Sequence, residues 1–158
     1  MAKLHYEADG DVSADRFIAA LIDFSDRRPD WWPDLSAGLF KVHQLGDSWA
    51  DVTEGSDVLG GVWARERYDW SEPGHVRLTL LESPSFRPGT VTDYLVTARD
   101  GGGCHVSVDF QRIATSLKGR FVGAVLELNG ERRFSAALRE TLRRLAAGDP
   151  EEGPVGNA

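Results

Sequence analysis

The chain has 158 residues, which is enough for one domain with a core and an internal cavity. Its net charge of −7 disfavours nucleic-acid binding, because such binding draws on clustered positive charge. No apolar run approaches the ~20 residues of a membrane-spanning helix, so we expect no stable membrane insertion. The N-terminus lacks the apolar segment of a secretory signal, and Cys104 is the only cysteine. Both features predict a cytoplasmic protein.

The segments before the last helix follow one another in a simple order. A short strand is predicted at residues 4–8, and Ser13 is a suitable N-cap for an amphipathic helix that should end near Arg28, before Pro29. A short second helix or packed turn is predicted at residues 30–35. Six runs rich in Val, Thr and aromatic residues come next, and the short turns between them predict antiparallel strands. These runs are residues 39–45, 49–54, 62–70, 76–82, 90–98 and 104–113.

The last predicted element is a long helix over residues 117–147. Its apolar residues recur at spacings of three and four, so they form one stripe that should face the sheet. The stripe consists of Leu117, Phe121, Val125, Leu128, Leu138, Leu142 and Leu145. Residues 148–158 have the composition of a disordered tail, which leaves a single domain over residues 1–147.

This order of elements predicts an α+β fold. A curved antiparallel sheet of about seven strands, in the order β-α-α-β6-α along the chain, should wrap around the C-terminal helix. We expect an apolar cavity between this sheet and residues 117–128 of the helix, with Phe121, Val125 and Leu128 facing it.

The run at residues 62–70 supplies the candidate polar groups of this cavity. Val62, Ala64, Glu66, Tyr68 and Trp70 alternate with a set that carries two arginines, so we assign these five residues to the concave face. Glu66 and Tyr68 would then lie inside the cavity or at its rim. A shift of the register by one residue would instead leave Glu66 outside. A buried carboxylate needs a partner or has a raised pKa.

Arg112 ends the last predicted strand, in step with Phe110. Two interpretations are open: it pairs with Glu66 or a ligand carboxylate at the cavity mouth, or it forms a surface ion pair, which we favour. Glu66, Tyr68 and Arg112 are the candidate catalytic residues. The candidate ligand-binding residues are Glu66, Tyr68, Trp70, Phe110, Phe121, Val125 and Leu128.

Two pairs of neighbouring residues leave alternatives open. Asp93 and Tyr94 are adjacent on one predicted strand, so one points into the cavity and the other away from it, but the sequence does not decide which. Trp31 and Trp32, directly before Pro33, are costly to expose. They predict either a plug that closes one end of the sheet, which we favour, or a flap at the entrance of the cavity.

The sequence predicts no metal site and no cofactor. No two of His5, His43, His75 and His105 have the spacing of metal ligands. Cys104 begins a strand and has no basic neighbour in sequence, so we expect a structural thiol instead of a nucleophile.

Positive charge is concentrated near the C-terminus. Residues 112–144 contain eight Lys and Arg against three Glu, a net charge of +5, which leaves −12 for the rest of the chain. This segment predicts a solvated helix face, the interpretation that we favour, or a surface for transient contact with an anionic membrane.

Three segments resemble the START-like, helix-grip superfamily (SRPBCC), which includes the polyketide cyclase/dehydrase and lipid transport group. Residues 24–35, FSDRRPDWWPDL, are similar to its corner between two helices. Residues 61–70, GVWARERYDW, are similar to its central strand, and residues 102–110, GGCHVSVDF, to its final hairpin. The resemblance covers about residues 3–146 and implies a helix-grip fold with an internal ligand cavity.

The resemblance implies more than one function, because this fold does not fix an activity. The first hypothesis is binding or carriage of a hydrophobic small molecule such as a lipid, a polyketide or an isoprenoid. The alternative is a polyketide cyclase, aromatase or dehydratase, which needs acid–base groups inside the same cavity. A third and weaker hypothesis is a protein-interaction module that uses the outer face of the sheet. The sequence fixes neither the ligand nor the oligomeric state.

Overall fold

The computed structural model describes residues 1–57 and 61–148. It contains one strand, two short helices, a single 3-10 turn (Ala37–Leu39), six further strands and a long helix. The bounds are β1 Ala2–Gly10, α1 Ala14–Leu21, α2 Arg28–Trp31, β2 Lys41–Leu45, β3 Trp49–Ser56, β4 Val62–Asp69, β5 His75–Glu82, β6 Val91–Ala98, β7 Cys104–Arg112 and α3 Leu117–Ala147. The predicted strand bounds differ from these by at most two residues.

The strands form one antiparallel sheet in the order β1-β7-β6-β5-β4-β3-β2. Strands β2 to β7 pair with their neighbours in sequence, whereas β1 pairs with β7, so that Tyr6 lies opposite Val108. Because side chains alternate across a strand, β1 turns one face toward α3, and Leu4, Tyr6 and Ala8 are buried there. The predicted α+β architecture of seven strands around a long helix is therefore confirmed.

The first helix is shorter than predicted. The hydroxyl oxygen of Ser13 caps α1 as expected, accepting from the backbone N–H of Arg16 at 3.2 Å. However, α1 ends at Leu21, and Arg28 begins the separate helix α2. Pro29 occupies the first turn of α2, where its missing N–H leaves no hydrogen bond unmade. Pro29, which was expected to follow the end of the first helix, therefore lies in the first turn of the second helix.

The second half of α3 meets the sheet through the predicted residues, whereas the first half meets it through a different set. Leu138 and Leu142 are buried. In contrast, Phe121 is 64% exposed and Leu128 is 81% exposed, so the prediction that they face the sheet is wrong. The residues that α3 buries or packs against the core are Gly119, Val122, Leu126, Gly130, Phe134, Leu138, Thr141, Leu142 and Leu145.

Two glycines explain why the inward stripe was misjudged. A Cβ at Gly119 would lie 2.1 Å from the carbonyl oxygen of Ser85, and a Cβ at Gly130 would lie 2.7 Å from Leu4 Cδ1. Neither position accepts a side chain without moving its neighbour, so at these two positions α3 is in close contact through a residue that carries no apolar signal. Of the predicted tail, residues 149–158 lie outside the described residues, and its disorder stays a prediction.

This close approach predicts opposite effects for two glycines that lie one helical turn apart. Gly119→Ala should destabilise the fold by about 1–3 kcal/mol, because a backbone atom blocks the new methyl group. Gly123→Ala should stabilise it by about 0.5–1 kcal/mol, because nothing lies within 4 Å of a Cβ there and alanine favours the helix. Urea unfolding of both variants measures the difference. Equal stabilities would mean that α3 does not rest on Ser85.

Candidate ligand-binding cavity

A cavity of about 290 Å³ lies between the concave face of the sheet and the second half of α3. Phe134, Ala137 and Leu138 line it from the helix, and Leu78 and Phe110 line it from the sheet. Its volume is at the lower end of the ~300–1,000 Å³ that is typical of ligand sites. The predicted wall at residues 117–128 is thus wrong, since the cavity lies farther along the helix.

The predicted site residues divide into two groups. Those that line the cavity are Glu66, Tyr68, Phe110 and Arg112. Trp70 is not part of the wall; it is partly buried beside Phe24, with 6.1 Å between the ring centroids. Phe121, Val125 and Leu128 are not part of it either, because they precede the segment of α3 that meets the cavity.

A buried arginine organises one end of the cavity. Arg28 Nη2 donates to Tyr68 Oη at 3.0 Å, Tyr68 Oη donates to Glu54 Oε2 at 2.5 Å, and Arg28 Nε donates to Glu54. Arg28 Nη1 donates to the backbone carbonyls of Leu21 and Asp23, both at 2.9 Å. The side chain of Arg28 is 2% exposed, and its guanidinium thus joins the end of α1 to strands β3 and β4.

The charges of this cluster stabilise one another. Burial lowers the pKa of Arg28, but the negative charge of Glu54 and the hydroxyl of Tyr68 raise it more, so the net pKa lies above its usual value. Burial, together with the charge of Glu54, raises the pKa of Tyr68 well above its usual value. The arginine is therefore charged and the phenol neutral at physiological pH. The Arg28 Cζ also lies 4.7 Å from the ring centroid of Phe24, a cation–π distance.

A second buried ion pair, between Arg112 and Glu66, also lines the cavity. Arg112 Nη2 donates to Glu66, and Arg112 Nη1 donates to Thr92 Oγ1 at 3.2 Å and to the carbonyl oxygen of Gln111 at 2.8 Å. Both side chains are less than 10% exposed, so the surface ion pair that the sequence favoured for Arg112 is wrong. Burial raises the pKa of Glu66, and the positive charge of Arg112 opposes that rise.

Two tyrosines, Tyr6 and Tyr94, line the cavity as a third group of polar side chains. Burial raises the pKa of Tyr94 to about 12. Of the adjacent residues Asp93 and Tyr94, Tyr94 is therefore the one that faces the cavity. Asp93 points to the outer face, where its Oδ1 lies 2.7 Å from both His75 Nε2 and Arg77 Nε.

The two neighbouring tryptophans have different positions. Trp31 is buried in the core, and Thr141 Oγ1 donates to its carbonyl oxygen at 2.7 Å, which ties α2 to α3. Trp32 lines the cavity, and its indole N–H has no hydrogen-bond acceptor among the described residues. The first tryptophan thus plugs the corner, and the second forms part of the cavity wall.

Sequence reasoning missed two of the residues that define the site. Glu54 follows Ala50 and Val52 in the same alternating phase of β3, and both of those are buried. That pattern alone would have placed Glu54 on the concave face. For Arg28 no comparable signal exists, because its partners lie on other elements.

The described residues contain no group of three or more His, Cys, Asp or Glu side chains that could hold a metal ion. Cys104 is buried, and burial raises the pKa of its thiol, which keeps it protonated and unreactive. No helix within residues 1–57 and 61–148 is long and apolar enough to cross a membrane.

Solved structures with the same architecture include proteins of several functions. A START superfamily protein from Mycobacterium smegmatis is 12% identical, with a TM-score of 0.70 over 92% of this chain and 99% of that one. The Zhui aromatase/cyclase from a Streptomyces species is 20% identical, with a TM-score of 0.67 over 92% and 97%. Norcoclaurine synthase from Thalictrum flavum, in complex with dopamine and hydroxybenzaldehyde, is 12% identical, with a TM-score of 0.65 over 94% and 88%.

These likenesses are structural. The comparison with protein-family models found no match, and the comparison with curated proteins found none. Identities of 12–20% show the fold alone. The protein has the START-like helix-grip fold, as the resemblance of its sequence implied.

The buried ion pair predicts a specific pattern of stabilities. Glu66→Gln should cost about 3–5 kcal/mol, because it leaves the charge of Arg112 buried without its counter-ion. The double variant Glu66→Leu with Arg112→Met should recover most of that loss, because apolar residues of similar volume replace the pair. Urea unfolding of the single and double variants tests this. A double variant no more stable than Glu66→Gln would contradict it.

Proposed function

We propose that the protein binds a compact hydrophobic small molecule in the cavity between the sheet and α3. The observation that supports this proposal is that the charged groups of the wall have partners: Arg28 pairs with Glu54, Arg112 with Glu66, and the exposed Asp34 with Arg133. A ligand therefore meets no unpaired charge, and it contacts the apolar side chains of Leu78, Phe110, Phe134 and Leu138. An apolar pocket with a few oriented polar groups is typical of a small-molecule site.

The volume of the cavity limits the ligand. A dry apolar cavity of ~150 Å³ is large enough to bind benzene. A cavity of about 290 Å³ therefore suits a molecule of roughly two rings, or an isoprenoid of similar bulk. A two-chain lipid exceeds this volume, so of the lipid, polyketide and isoprenoid classes we favour small cyclic polyketides and short isoprenoids.

One of the similar structures supports this size class, because it holds dopamine and hydroxybenzaldehyde, which are single-ring molecules. The buried, protonated Cys104 is compatible with a reducing cytoplasm, which stays a prediction about the site of action.

A cyclase or dehydratase acting in the same cavity is the second candidate. The observation that favours it is Glu66, a carboxyl group at the cavity wall whose pKa is raised by burial. A raised pKa suits a general acid or base near neutral pH. Against this role, Arg112 already occupies the carboxylate, and Tyr68 is engaged by Arg28 and Glu54. We therefore place binding first and catalysis second.

Binding is tested by a charge placed in the cavity and a matched charge placed outside it. Phe134→Asp should lower the affinity for N-phenyl-1-naphthylamine, a neutral fluorescent probe of two linked ring systems, by at least tenfold, because the carboxylate would face apolar surface. Phe121→Asp on the exposed side of the same helix should leave the affinity unchanged. Fluorescence titration measures both. Equal losses in the two variants, or a wild-type protein that does not bind, would contradict the proposal.

Turnover separates the two candidates. The wild-type protein, incubated with a poly-β-keto substrate analogue, should bind it without forming a cyclised or dehydrated product. If product forms, Glu66→Gln together with Arg112→Met, which removes the carboxylate without stranding its partner, should lower the rate by roughly 10²-fold or more. Mass spectrometry of the reaction mixture gives the result. Turnover by the wild type that this double variant abolishes would replace the binding function with the enzymatic one.

A further inference from the structure

The outward face of the first half of α3 carries an apolar stripe that the cavity does not use. Leu117 is 82% exposed, Phe121 is 64% exposed and Leu128 is 81% exposed, and the half-buried Val125 lies between the last two. Their spacings of four, four and three residues place them in one row along the helix, roughly 17 Å long at ~1.5 Å per residue. We call these four residues the outer stripe.

Exposed large apolar side chains in a row are unusual on a soluble surface and mark an interaction site. The inward side chains of the same segment are already satisfied: Val122 packs with Leu80 and Phe86, and Gly119 rests on Ser85. The outer stripe is therefore not a displaced part of the core.

Three cations lie beside the outer stripe. Lys118 and Arg120 flank its first residue, and Arg132 continues the row one turn beyond Leu128. Arg120 and Arg132 are exposed and have no ion-pair partner among the described residues. Glu127 and Glu131 are the acids of this stretch, so residues 117–132 carry a net charge of +1 in a chain of net charge −7.

We propose that the outer stripe of α3 docks on the surface of an anionic lipid bilayer. A helix with large apolar residues on one face and cations beside them lies in the membrane interface, with its apolar side chains at the boundary of headgroups and acyl chains. Each Lys or Arg near an anionic surface contributes about 1 kcal/mol of attraction. The outer stripe and its flanking cations supply both contributions on one exposed face.

The charge argues against a second copy of this chain as the occupant. The commonest homodimer has a two-fold axis and presents the same patch on both subunits. Pairing two copies through the outer stripe would bring together two stretches of the same net positive charge. An anionic surface instead complements the exposed Arg120 and Arg132.

Docking in this orientation places one end of the cavity wall near the bilayer. Lys118 Nζ in the first turn of α3 donates to the carbonyl oxygen of Gly61, just before β4, at 2.9 Å. Ser56, at the end of β3, lines the cavity. A hydrophobic ligand would then move between bilayer and cavity without crossing bulk water. This transfer of a ligand rests on the proposed function, whereas the docking itself does not.

Co-sedimentation with vesicles tests the docking directly. The wild-type protein should bind vesicles of phosphatidylcholine with phosphatidylserine, bind pure phosphatidylcholine far less, and lose the difference at high salt. Phe121→Ser with Leu128→Ser should weaken binding more than tenfold. Arg120→Gln with Arg132→Gln should weaken it by roughly fivefold per charge. Leu95→Ser, an exposed leucine on the outer face of β6, is the control and should bind like the wild type.

The outcomes separate the docking from the cavity function. All of these positions are exposed, so unchanged melting temperatures should accompany the changes in binding. Loss of vesicle binding with unchanged N-phenyl-1-naphthylamine affinity supports the docking and leaves the proposed function intact. Binding that ignores phosphatidylserine, or that survives both double variants, overturns it. So does sedimentation showing a dimer that Phe121→Ser dissociates, because the outer stripe would then be covered by a second copy.

Discussion

The guanidinium of Arg28 is the interaction on which the rest of the site depends. It connects the end of α1 through the carbonyls of Leu21 and Asp23, strand β3 through Glu54, and strand β4 through Tyr68. Because Arg28 itself belongs to α2, one buried cation joins four elements and fixes the corner that closes the cavity. Such a charge is tolerated inside a protein only when it is paired and hydrogen-bonded, and each guanidinium nitrogen of Arg28 has at least one acceptor here.

The same logic extends across the concave face. An apolar cavity needs walls that do not collapse. The hydrogen-bonded ion pairs of the sheet support these walls. The ion pair of Arg112 and Glu66 holds β7 to β4. The cavity wall thus combines apolar side chains that a ligand can contact with polar side chains that pair with one another and connect the strands. This division connects the stability of the fold to its capacity for binding.

Much of the fold followed from the sequence, because strand alternation and turn residues are local signals. The same alternation placed Glu66 and Tyr68 at the cavity. The contact face of the first half of α3 was mispredicted, because Gly119 and Gly130 mark the approach to the sheet and carry no hydrophobic signal, while Phe121 does. The corner formed by Arg28 was also beyond sequence reasoning, since its side-chain partners Glu54 and Tyr68 come from distant segments that only the folded chain brings together.

The pairing of the first strand with the last has a consequence for how the chain is made. His5 on β1 lies 2.9 Å from Asp109 on β7, and 104 positions separate them. At ~5–20 residues per second, the ribosome exposes β1 roughly 5–20 s before its partner exists. During that interval the strand presents unpaired backbone groups and an apolar face, a template for wrong pairings. The cavity is therefore completed only after α3, which covers β1, has emerged.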